Sequence, residues 1–285
     1  MRSLLASPAD TAARLGLDLN GIFWCDATLN PGLYGCAYAS PACGTADRSS
    51  QCYAESMAAR IVRMGGPAAA LYREGVNAEG RWTGRVSVHP ERIASAFAKL
   101  PKRAGRIRRV FVTSMSDLFH ADVPFDFLDR VFHAMWARPH LVFQVLTKRP
   151  DRMAEYAAER LLQWPANVWA GCTVEDQRRA DERIPHLLRV PAAVRFLSVE
   201  PMLGRINIFP QPIAGLQWVI VGSESAGNAP GLRETNPSWV LDLVDQCDAA
   251  GVPVLVKQLD IGGQLCSLPL VNGKVRADFP EVPRG

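Results

Sequence analysis

The chain has 285 residues, 48% of them hydrophobic and 21% charged, with a formal net charge of +4. These values suit an ordinary globular protein and exclude a low-complexity or collagen-like chain. No apolar run is long enough to span a bilayer, so no membrane association is expected. The seven cysteines are odd in number, which excludes a fully paired disulfide framework.

Met1–Asn20 mixes apolar and charged residues and does not read as a signal peptide, so the expected location is cytoplasmic. This stretch is set apart as an N-terminal extension, residues 1–20. A first strand is expected over Gly21–Asp26. Cys25, beside Phe23 and Trp24, reads as a buried thiol of that strand.

A loop follows that carries Cys36, Cys43 and Cys52. Local thiolate groups of this kind hold iron–sulfur clusters or zinc. With an open iron, such a group serves redox chemistry; with zinc, it is a structural staple. The glycines between Gly65 and Gly84 suggest an excursion of the chain. Arg85–Val88 is a further candidate strand, leading through His89 and Pro90 into a helix over Glu91–Leu100. Lys102, Arg103, Arg106, Arg108 and Arg109 form a basic cluster. It is either a phosphate-binding patch or, the favoured reading, a solvated loop before a strand.

From Val110 onward a pattern repeats. Short apolar runs rich in β-branched residues occur at Val110–Thr113, Leu141–Leu146, Val168–Cys172, Val194–Val199, Trp218–Val221 and Val252–Val256. Continuous apolar character marks strands buried on both faces, and hence a parallel sheet. Helical periodicity covers Phe125–Trp136 and Trp239–Ala250, the latter with Gly251 as C-cap. The expected fold is α/β, a full or partial (β/α) TIM-type barrel over residues 21–262 with a cysteine loop after the first strand. An open doubly wound sheet is the alternative. Residues 263–285 are expected as a surface-laid tail.

Functional side chains of such folds lie at the C-terminal strand ends. There the sequence places Asp117, Lys148, Glu200, Glu224 and Lys257, candidates to line one pocket. Polar loops alone explain any one of them. They explain less well why charges recur beside buried strands, where an unpaired charge is expensive. Gly222–Gly227 is glycine-rich but matches neither the Walker A nor the dinucleotide fingerprint. No nucleophile elbow occurs around Ser114, Ser198 or Ser223. The five histidines form no ligand motif.

Several segments, taken in order, resemble a bacterial and phage family of three-cysteine-motif proteins, a divergent branch of the radical S-adenosylmethionine superfamily. The segments are Trp24–Pro31, Gly35-Cys36, Ser40–Cys43, Cys52–Glu55, Ser114–Phe119, Phe143–Pro150, Val174–Gln177, Arg195–Pro201, Trp218–Ser225 and Val256–Gln258. Two departures stand out: residues 44–51 lengthen the gap between the second and third cysteines, and Leu29 stands where the family usually has tryptophan.

The resemblance implies a [4Fe-4S] cluster on Cys36, Cys43 and Cys52, with S-adenosylmethionine at its open iron. Reductive cleavage would then generate a 5'-deoxyadenosyl radical that takes hydrogen from a substrate. Tyr53, Ser114, Ser116, Asp117 and Glu200 are the implied cofactor contacts. Asp117, Lys148, Glu200, Glu224 and Lys257 are the implied catalytic and substrate-binding residues. The implied partners are a one-electron donor of flavodoxin or ferredoxin type and a nucleoside or nucleic-acid substrate. The competing reading is a zinc-stapled nucleic-acid-binding protein, weakened by the lack of an evident aromatic stacking platform.

Overall fold

A computed structural model describes residues 22–40, 43, 52–105, 108–160, 163–210, 213–224, 233–262 and 264–281. It resolves into two compact units. One comprises the described residues of Trp24–Ala170 with Arg189–Ala193, the other those of Met1–Phe23, Gly171–Leu188 and Val194–Gly285.

The first unit opens with β1 (Ala27–Leu29) and β2 (Leu33–Tyr34), then α1 (Tyr53–Met64), α2 (Pro67–Tyr72) and β3 (Ser87–Val88). After a 3₁₀ turn at Pro90–Arg92 come α3 (Ile93–Phe97), β4 (Arg109–Val112), α4 (Phe125–Trp136), β5 (Val142–Thr147), α5 (Pro150–Arg160) and β6 (Val168–Thr173), whose residues from Gly171 on belong to the other unit. β1, β4 and β5 pair in parallel, with Ala27 opposite Val110 and Arg109 opposite Val142. β4 and β5 bury nearly every residue, Val110, Val112, Phe143 and Val145 among them. This is why their sequences lack apolar–polar alternation. Within this shell Gln144 is fully buried, its Nε2 donating to the Trp24 carbonyl at 3.0 Å.

The second unit continues with α6 (Gln177–Leu188), β7 (Arg195–Val199), β8 (Trp218–Gly222), α7 (Pro237–Ala250) and β9 (Val254–Ile261). It ends with β10 (Gln264–Ser267), β11 (Leu270–Val271) and β12 (Lys274–Val275). β7, β8 and β9 are parallel; β10 runs antiparallel to β9. Helix α7 starts at Asn236, whose side chain accepts from the Ser238 N–H, and stops at Gly251, φ 67°. That left-handed conformation favours glycine.

The strand order is β1-β4-β5-β6-β7-β8-β9-β10, an eight-stranded α/β sheet. The α/β class and the repeating strand runs hold to within one or two residues for β4 to β8. The expected barrel closure does not: the order ends on β1 at one side and on the antiparallel β10 at the other. The strand expected over Gly21–Asp26 lies at Ala27–Leu29, because Asp26 accepts from the backbone of Arg108 and Arg109 and caps the start of the ladder instead. The strand expected over Arg85–Val88 is only Ser87–Val88, and it pairs with β2 outside the main sheet. The last strand starts at Val254 and runs on to Ile261. Residues 264–281 add β10 and a hairpin, and the Trp218 indole donates to the Asp278 carbonyl at 2.8 Å. Among the described residues no helix is long and apolar enough to cross a membrane.

Candidate functional site

In the first unit, the turn after β4 gathers the expected residues. Thr113 has φ 61°, an uncommon conformation for a residue with a Cβ. The chain reverses there into Ser114–Asp117. Met115 N–H donates to Asn30 Oδ1 at 3.2 Å and Ser116 Oγ to the Leu33 carbonyl at 3.1 Å. The Tyr53 hydroxyl, at the first residue of α1, donates to the Ser114 carbonyl.

Asp117 is the hub of this turn. Its Oδ1 accepts from Thr147 Oγ1 at 2.6 Å and from the Phe119 N–H at 3.0 Å. Its Oδ2 accepts from the Lys148 N–H at 3.1 Å and from an Arg149 guanidinium nitrogen at 2.8 Å. Both carboxylate oxygens are therefore engaged in tying the end of β4 to the end of β5. Thr147 and Arg149, which sequence reasoning passed over, complete the knot. Lys148 is half-buried, and its charge acts on Cys52 and Tyr53.

The three cysteines lie within electrostatic reach of one another. Each also has surroundings of its own. Cys36 Sγ faces the Ala37 carbonyl at 3.5 Å, Cys43 Sγ lies 3.8 Å from Ser40 Oγ, and Cys52 occupies the N-cap of α1. Burial, with the Asp117 carboxylate adding to it, pushes the Cys36 thiol up to about 12; burial also raises Cys52.

Among the described residues no three Cys, His, Asp or Glu side chains are grouped to hold a metal ion. The expected [4Fe-4S] ligand set of Cys36, Cys43 and Cys52 is thereby overturned. With it fall S-adenosylmethionine at an open iron, the radical step and the radical-enzyme assignment, as does the zinc staple.

Close by, α1 buries Glu55, which accepts from the Tyr38 hydroxyl and from the Trp82 N–H at 3.0 Å, with Arg81 at 3.6 Å. Sequence reasoning missed this carboxylate. Its only signal was an acid on the apolar face of a helix.

In the second unit a different group forms at the ends of β7 and β8 and in the middle of β9. Glu200, one residue past β7, accepts at Oε1 from Lys257 Nζ at 2.7 Å and from Gln258 Nε2 at 2.7 Å. Its other carboxylate oxygen accepts no hydrogen bond from a described residue. The side chains of Glu200 and Lys257 are 16% and 12% exposed. Gly222 closes the floor: a Cβ there would lie 3.1 Å from Gln258 Nε2 and 3.3 Å from Glu200 Cδ. Gln258 also donates to the Ser223 carbonyl at 2.8 Å, and Ser223 Oγ accepts from the Asp260 N–H at 3.0 Å. Gln258 was legible beside Lys257 but was given no role.

Glu224 is turned inward, 4% exposed at its side chain, and clasps Arg233 through that residue's backbone N–H, Nε and terminal guanidinium nitrogen. Fully buried Glu175 is likewise held by Arg183, at 3.0 Å. Of the charges expected to line one pocket, Asp117 and Lys148 belong to one unit and Glu200, Glu224 and Lys257 to the other. Of these acids Glu200 keeps an oxygen uncommitted among the described residues, whereas Asp117 and Glu224 hold the backbone in place.

No curated protein and no solved structure matches the chain. One family model does, over residues 20–266, and its description is a protein of unknown function, DUF5131. That match carries no radical S-adenosylmethionine assignment, so the resemblance stated above is corrected on this ground as well. The chain belongs to the DUF5131 family.

Proposed function

We propose that the chain binds a nucleoside or nucleotide at the Glu200–Lys257–Gln258 group. The observation that carries the reading is the half-used carboxylate of Glu200. One oxygen is fixed by Lys257 and Gln258, so the group is oriented before any ligand arrives. The other has acceptor capacity for hydroxyl donors, as an acid beside a strand end has for a ribose diol. Lys257 uses one of its three donors on Glu200, and the others suit a phosphate or carboxylate. Gly222 leaves room for the Glu200 carboxylate and the Gln258 amide to pack close against the strand, which fixes the acid in place. The C-terminal ends of parallel strands are also where α/β sheets bind ligands.

A thermal-shift screen of nucleosides, nucleotides and ribose 5-phosphate tests the reading. A ligand that binds the folded chain raises the midpoint in a concentration-dependent way. The expected result is a shift with ribose-bearing compounds, larger with a phosphate. No shift across the panel up to millimolar ligand contradicts it.

A further inference from the structure

We infer that the edge of the first unit where β4 and β5 begin is a docking surface for single-stranded nucleic acid. Its parts are the exposed bases of the loop before β4 and the exposed ring of Trp136. This edge is independent of the strand-end group proposed above, which belongs to the other unit.

The charge is concentrated. Between Glu91 and Asp117 the sequence holds no Asp or Glu, while Lys99, Lys102, Arg103 and Arg108 are all exposed. No described acid pairs with these four. Arg109, by contrast, is held by Asp26 at 3.2 Å. Exposed, unpaired bases of one sign offer phosphates a favourable, salt-dependent contact.

The aromatic element is Trp136, the last residue of α4, 63% exposed. Tryptophan is largely buried on average, so an indole left in water calls for an explanation. Arg109 and Val142 are register partners, so the loop entering β4 and the loop entering β5 begin side by side. Contacts fix the two together. Arg138 lies over the Phe97 ring at 5.0 Å, His140 Nε2 meets the Pro101 carbonyl at 2.9 Å, and the Val142 N–H donates to the Arg108 carbonyl at 2.7 Å. The amide of Asn167 donates to the carbonyls of Met135, Arg138 and Leu141, clamping the turn that follows Trp136. A platform held this way loses little entropy when a base stacks on it.

The combination matches how single strands are bound without sequence preference: bases stack on an aromatic ring while cations follow the backbone. An anionic membrane fits less well. Among the described residues the other exposed large apolar side chains, Tyr53, Met57, Met64, Phe209, Leu241 and Leu265, are not on these two loops, so the described part of this edge offers little apolar surface for insertion.

The test uses the full chain with fluorescein-labelled oligothymidylate and oligouridylate of about 20 nucleotides, read by anisotropy from about 50 to about 200 mM salt. The variants are K102E/R103E and Trp136→Ala, whose side chains are exposed. The expected result is binding of one or both oligomers, with DNA or RNA preference read directly from the two. K102E/R103E is expected to weaken binding at least tenfold and to flatten the log–log salt slope by roughly 1.4, about 0.7 for each lost phosphate contact. Trp136→Ala is expected to weaken binding about tenfold at unchanged slope. Three results would overturn the inference. One is failure of the wild-type chain to bind either oligomer more tightly than K102E/R103E does. Another is wild-type affinity in Trp136→Ala. The last is preferential capture by phosphatidylserine-containing vesicles.

Discussion

Lys257 Nζ and Gln258 Nε2 converge on a single oxygen of Glu200, each at 2.7 Å. Two adjacent residues of one strand reach the same atom because the register shifts between Val221 and Gly222, bringing Gln258 opposite Gly222. The bulge re-aims side chains at a strand end, where such irregularities commonly accompany sites. Replacing Lys257 with Met removes the charge partner of a carboxylate that is mostly out of water. A loss of about 1–2 kcal/mol in urea unfolding is expected, reduced from the fully buried case by the remaining solvent access.

Gly222→Ala isolates the geometry from the charges. The new methyl would crowd the Glu200 carboxylate and the Gln258 amide at 3.3 and 3.1 Å. The expected stability loss is about 1 kcal/mol, with a larger relative loss of nucleotide affinity. Equal affinity in this variant, measured by titration calorimetry, would show that the glycine does not shape the site.

Asp117 is expected to behave as a structural group. Asp117→Ala strands Thr147, the N–H groups of Phe119 and Lys148, and the Arg149 guanidinium. A loss of about 3 kcal/mol is expected, and Asp117→Asn, which keeps the shape but not the charge, loses about half of that. Urea midpoints at constant slope decide the matter.

The parts of the fold readable in the sequence were those where burial acts on both faces. β4, β5, β7 and β8 appear as continuous apolar runs because helices and core leave them no wet side. Closure was not readable, since which strands lie at the edges depends on pairing partners far away. Ser87–Val88 shows this: its composition suits a strand, but its partner is β2. The site residues divide similarly. Position after a strand pointed to Asp117, Glu200 and Glu224 alike, yet only the structure shows Glu224 turned toward Arg233. The cysteine spacing placed three thiols near one another along the chain but carried no information on where each sulfur points. Trp136 was read correctly as the end of a helix, and its exposure became visible only with the neighbouring loops in place.

Stability is expected to fall at alkaline pH. Burial pushes the Cys172 and Cys247 thiols from 9.0 up to about 12. Above about pH 9 the unfolded chain releases these protons while the folded chain retains them, so the unfolded state binds fewer and unfolding becomes easier. The urea midpoint should decline steadily from pH 9 toward pH 12. Cys172→Ala and Cys247→Ala should each flatten the decline, even though each lowers stability at pH 7 by leaving a small cavity. A decline identical in slope for the variants would assign it to other groups.

The most direct test of the central claim is calorimetric titration of a ribonucleotide into the wild-type chain, Glu200→Gln and Lys257→Met, with the matching nucleoside in parallel. The account expects Glu200→Gln to weaken both ligands by tenfold or more. Lys257→Met should weaken the nucleotide far more than the nucleoside. Indistinguishable affinities across the three proteins, or no heat for any of them, would contradict a ribose- and phosphate-binding role for this strand end.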